Sequence, residues 1–102
     1  VVKTYSLEQK ICKTFGKQCD TALAIINAES HFDRYAINVN KDGSKDLGCW
    51  QLNDKAQKVD RSIAFDCLQA TDKAYKIYQS WGNFNAWSAY KNGSYKKYLK
   101  IK

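Results

Sequence analysis

One short stretch decides the order of elements in this chain. Ala36-Ile37-Asn38-Val39-Asn40 alternates apolar and polar residues, passes through Lys41-Asp42-Gly43-Ser44, and returns as Lys45-Asp46-Leu47-Gly48-Cys49-Trp50. Alternation on both sides of Asp-Gly is a strong short-range signal for a β-hairpin. In the first arm Asn38 and Asn40 fall on one side and Ile37 and Val39 on the other. Asp46 stands in the returning arm, where the asparagine side can face it. An ordinary polar hairpin surface would read the same way.

The hairpin follows a helical pattern that ends in an acid. Counting back from Glu29 at helical spacing gives Ile26, Ile25 and Ala22, so the carboxyl shares a face with apolar residues. Apolar surroundings disfavour the ionised form and raise the pKa, which makes Glu29 a candidate proton donor. The competing reading is a solvated glutamate near a helix end. Two acids from different elements, Glu29 and Asp46, are in either case brought toward one another.

The remaining pattern is mainly helical. Ser6 to Phe15 reads as a first helix, with Ser6 and Gln9 as a capping box, Leu7, Ile11 and Phe15 as its core face, and Gly16 as its stop. Asp20 is placed to cap a second helix from about Thr21 to Ser30. The polar segment Asp54 to Asp60 has room for a short helical turn. Asp66 with Gln69 forms another cap signature, opening a helix that runs to Trp81 through Leu68, Ala70, Ala74, Ile77 and Tyr78, and Gly82 ends it. The tail from Asn83 to Lys102 sets Phe84, Trp87, Tyr90, Tyr95 and Tyr98 among lysines, and Gly93 divides it into two short helical pieces. Such an aromatic row is a core or a sugar-stacking surface. The expected class is α+β, mainly helical, with a small β-hairpin beside the helix that carries Glu29.

A chain of 102 residues with four cysteines is read as one domain, 1–102, whose modest core is supported by disulfides. With no Cys-x-x-Cys pair and a single histidine, His31, a metal site is not expected, and neither is a cofactor. Asp60, Asp66 and Asp72 lack the oxygen-ligand density of a calcium loop. Of the three possible connectivities we favour, from position, Cys12 with Cys19 between two helices and Cys49 with Cys67 between the hairpin and the next long helix. Seventeen Lys and Arg against ten Asp and Glu give a net charge of +7, which concentrates the protein near polyanions. No basic cluster carries a nucleic-acid motif, so nucleic acid is not an expected partner. No apolar run is long enough to insert stably in a membrane. A first residue of Val, with no signal peptide in view, suits a processed secreted domain or a trimmed chain.

The stretch ESHFDRYAINVNKDGSKDLGCWQLN, Glu29 to Asn53, resembles the active-site segment of animal (chicken-type) lysozymes. Glu29, Ser30, Phe32, Ala36, Asn38, Asn40, Asp42, Gly43, Ser44, Asp46, Gly48, Gln51, Leu52 and Asn53 fall on the family pattern without a gap. Asp46 follows Glu29 by seventeen positions, the family's own interval. Asn85-Ala86-Trp87-Ser88-Ala89-Tyr90-Lys91-Asn92 is similar to a second family motif. The chain departs from the family at Leu47, where tyrosine is usual, and in its cysteine positions. The family's paired tryptophans after the hairpin have no evident counterpart.

The resemblance implies a lysozyme-like fold and a secreted, monomeric muramidase acting on bacterial cell-wall peptidoglycan. Glu29 would protonate the leaving oxygen and Asp46 would attack the anomeric carbon or stabilise its charge. Asn38, Asn40 and Asn53 would hydrogen-bond around Asp46 and the sugar, while Gln51, the Ala86 backbone and Trp87 would line the groove, with Trp87 packed beside Glu29. His31 would be a loop residue beside the site. Tyr90 occupies the place where lytic transglycosylases of the same superfold carry a tyrosine near their single acid. Two alternatives therefore stand: a lytic transglycosylase using Glu29 alone, and a cationic wall-binding protein without turnover.

Overall fold

The structure is a computed structural model that describes the backbone of residues 2–99 and the side chains of residues 7–99; residues 100–102 of the aromatic tail lie outside the described residues. Helix α1, Val2–Phe15, buries Leu7, Ile11 and Phe15, the three positions that recur every four residues. It starts earlier than the capping-box pattern suggested, and Ser6 lies inside it. A cap needs a residue outside the helix, and no glycine or proline in Val2–Tyr5 stops the helix from continuing toward the N-terminus.

Gly16, at φ +55°, turns the chain into a 3-10 turn, Gly16–Gln18, and α2 follows at Cys19–Ser30. Asp20 is not the cap of α2: Gln18 holds that position, and Asp20 sits in the first turn, where its charge complements the helix N-terminus. The disulfide Cys12–Cys19 clamps the α1–α2 connection with a Cα separation of 4.6 Å. Ala22, Ile25 and Ile26 are fully buried, so the apolar face that leads to Glu29 packs into the core.

His31 and Phe32, both at positive φ, reverse the chain after α2 and send it into the sheet. The Asp42-Gly43 hairpin joins β1, Ile37–Val39, to β2, Lys45–Leu47, and a third strand, β3, Leu52–Asn53, adds to the far side of β2. Both pairings are antiparallel, and their register sets Asp46 between Asn38 of β1 and Asn53 of β3. Gly48 lets the sheet meet the helices: its φ is +76°, and a Cβ there would lie 2.0 Å from the Ala64 carbonyl oxygen.

The helical turn expected within Asp54–Asp60 is a single i→i+4 bond, Gln57 N–H to the Asn53 carbonyl, and a further helix, α3, forms at Arg61–Ala64. Asp66 caps α4, Cys67–Trp81, accepting the Leu68 and Gln69 N–H groups, and Gly82 closes it at φ +76°. Cys49–Cys67 ties the β2–β3 connection to the start of α4. Beyond Gly82 come α5, Ser88–Lys91, and a 3-10 turn, Ser94–Tyr98, separated by Gly93 at φ +82°.

The core is built around aromatic rings. Phe15 lies 5.4 Å from Trp50 and 5.7 Å from Phe84, and Trp50 lies 5.5 Å from Trp87, ring centroid to centroid. Both buried indoles keep their N–H groups bonded, Trp50 to the Thr71 hydroxyl at 3.0 Å and Trp87 to the Trp50 carbonyl at 2.9 Å. Buried polar tips without such partners would each cost about 1–3 kcal/mol. None of the described helices is long and apolar enough to cross a membrane.

Candidate active site

A cleft of about 550 Å3 separates a helical wall from a sheet wall. Glu29 of α2, Ile77 and Trp81 of α4, and the Asn85–Ser88 segment before α5 form the first. The hairpin with Asn40, Ser44 and Asp46 forms the second, together with Gln51, Leu52 and Asn53.

Glu29 is placed by the end of α2. Next to it the Ser30 hydroxyl donates to the Cys49 carbonyl at 2.8 Å, fixing the helix end against the β2–β3 connection. Burial raises the Glu29 pKa above the ordinary carboxyl value; the Ala89 N–H, donated to Oε2 at 3.0 Å, opposes that, and the neighbouring Asp46 carboxyl adds to the rise. Desolvation is the largest effect, so the net shift is toward the protonated form relative to a solvated carboxyl.

Asp46 sits in different surroundings. Asn53 donates its Nδ2 to Asp46 Oδ1 at 2.9 Å and to the Ser44 hydroxyl at 3.0 Å. Its Oδ1 accepts from the Lys55 and Ala56 N–H groups at 3.1 and 2.8 Å, and backbone N–H groups only donate, which fixes the amide with nitrogen toward the carboxylate. The Ser44 hydroxyl in turn accepts from Asn40 Nδ2 at 3.1 Å and donates to Asp42 Oδ1 at 2.6 Å. Those bonds to Ser44 hold the Asp42 carboxyl below its usual range.

Of the residues singled out in the sequence, Glu29, Asp46, Asn40, Gln51, Asn53, Ala86 and Trp87 all line the cleft. Asn38 is outside the lining and donates to Gln51 Oε1 at 2.6 Å. Gln51 also gives its amide hydrogens to the Ala36 and Gly48 carbonyls, so its side chain is committed to holding the loop. Tyr90 is likewise outside the lining, stacked on Tyr95 at 4.9 Å and 5.6 Å from Phe84. His31 caps α2 in the left-handed conformation and shares a hydrogen bond with Asn27, its ring 5.9 Å from Tyr98; it is not part of the cleft wall. Sequence reasoning assigned no role to Ser44 or Trp81. Ser44 sits within the matched segment, while for Trp81 helical spacing suggested only one more apolar position on α4.

Comparison with known proteins shows the family. The sequence profile of a family described as the lysozyme-like domain matches residues 10–89, most of the chain. The chain belongs to the lysozyme-like domain family. Lysozyme c-1 of Anopheles gambiae is 34% identical over 107 aligned positions, covering 78% of this chain and 76% of the mosquito protein. Protein IpgF of Shigella sonnei is 45% identical over 42 residues, and its counterpart in Shigella flexneri matches to the same extent. That second match covers 41% of this lysozyme-like chain and spans only 28% of IpgF.

Proposed function

We propose that this lysozyme-like protein is a peptidoglycan muramidase, hydrolysing the β-1,4 bond between N-acetylmuramic acid and N-acetylglucosamine by a retaining, two-carboxylate mechanism. The observation that carries the reading is that one cleft holds two carboxyls in contrasting settings: Glu29 is partly desolvated, with its pKa raised, and Asp46 is held by an amide that is itself fixed. Lysozyme is the type case of such a division of labour between acid and nucleophile. Glu29 gives its proton to the glycosidic oxygen as the bond to the anomeric carbon breaks. Asp46 bonds to that carbon or stabilises its positive charge. Glu29, now a carboxylate, takes a proton from water, whose oxygen adds to the anomeric carbon and releases Asp46.

The family membership supports peptidoglycan as the substrate, and the two disulfides are consistent with an extracytoplasmic, bacteriolytic protein. In this reading residues 1–102 act as one catalytic domain, as a monomer and without a cofactor. Asp46 in the cleft wall favours hydrolysis over a transglycosylase that relies on Glu29 alone.

Turbidity assays on bacterial cell walls with the Glu29→Gln variant test the enzyme assignment. Loss of the general acid is expected to slow lysis by about a hundredfold or more. Unchanged lysis would overturn both enzymatic readings and leave a cationic wall-binding protein.

A further inference from the structure

Trp81 is 55% exposed, while the other two tryptophans, Trp50 and Trp87, are buried at 0% and 3%. An indole is a large apolar group, and leaving half of it in water forfeits burial that the core obtains elsewhere. Its position accounts for that exposure. Ala70, Ala74 and Ile77 form the buried face of α4, and Trp81 follows Ile77 by one turn of the same face. Ile77 and Trp81 both line the cleft, so the core stripe of the helix runs out of the core and into the cleft wall at the indole. Gly82 then ends the helix in the left-handed conformation, holding Trp81 in its last turn.

The lining of the same cleft includes amide side chains. Asn85 follows Trp81 after the turn, and Gln57 comes from the loop after β3. A flat apolar ring in one cleft with amide donors and acceptors matches a pyranose, which presents a face of C–H groups and a rim of hydroxyl and N-acetyl groups. From this juxtaposition we infer that Trp81 is a specificity-determining platform on which a glycan residue neighbouring the cleaved bond stacks, with Asn85 and Gln57 at its rim. The inference rests on the proposed action on a glycan and adds to it the residue that holds the chain in register.

The probe is soluble N-acetylglucosamine tetramer, its affinity for each protein measured by isothermal titration calorimetry and, in the wild type, its contact with the indole followed by acrylamide quenching of tryptophan fluorescence. Trp81 is the accessible indole, so the wild type is expected to lose quenching as the tetramer binds. Trp81→Ala should bind about tenfold more weakly and Trp81→Phe should recover most of the affinity, whereas Trp81→Leu, apolar but not flat, should not. On peptidoglycan the loss in Trp81→Ala should appear in KM. Equal affinity of Trp81→Ala and wild type, or full rescue by leucine, would overturn the platform even if the wild type cleaves peptidoglycan. Trp81-dependent protection in a wild type that cleaves nothing would uphold the platform and reject the muramidase. A wild type that binds no tetramer would count against both.

Discussion

At Glu29 two opposing effects meet on one carboxyl. Burial penalises the ionised form, and the Ala89 N–H favours it; burial is the larger, so the folded pKa lies above that of the unfolded chain. The folded state then binds more protons than the unfolded state between those two pKa values, and stability falls as pH rises through that window. Glu29→Gln keeps an oxygen for the Ala89 N–H and removes the buried charge. The variant is expected to melt above the wild type at about pH 7, with the difference vanishing below the ordinary carboxyl pKa of about 4.3. Thermal melts of both proteins across that range check this; a variant less stable than wild type at neutral pH would contradict it. Glu29 itself was legible in the sequence because its helical neighbours Ala22, Ile25 and Ile26 are apolar. The bond from Asn53 to Asp46 was not, because it depends on the pairing of β3 with β2, which two residues carry no local pattern to announce.

Elements whose ends are set by local chemistry follow the sequence closely. The Asp42-Gly43 hairpin and α4 between Asp66 and Gly82 form where turn and cap residues place them. Elements set by tertiary contact do not. The strand β3 exists because Leu52 and Asn53 pair with β2, and two residues carry no alternation to read. A local signal also fails where nothing enforces it: α1 runs on to Val2 past an apparent cap at Ser6, since no glycine or proline stops it. The two glycines of the sheet region separate these kinds of constraint. Gly43 has φ +87° with open space around its missing side chain, so Gly43→Ala should cost only backbone strain, about 1–2 kcal/mol. Gly48→Ala adds a collision with the Ala64 carbonyl and is expected to cost roughly 3–5 kcal/mol. Urea denaturation of the two variants distinguishes them, and equal losses would mean that the sheet does not approach α3 as closely as described.

On the scale of the whole molecule, a small aromatic core and two disulfides hold two walls apart at a fixed spacing. One wall is helical and desolvates its acid; the other is a sheet in which the Asn53 amide bonds both its acid and the Ser44 hydroxyl. A net charge of +7 concentrates the molecule near polyanions, an attraction that salt screens. In the proposed mechanism both carboxyls take part in one hydrolysis. Mass spectrometry of purified peptidoglycan, digested in parallel with wild type and Asp46→Asn, tests it most directly. Reducing muramic acid ends are expected from the wild type, with their near disappearance in the variant digest. Anhydro-muramic ends that persist in Asp46→Asn would contradict that mechanism, leaving Glu29 as the sole acid and base of a transglycosylase.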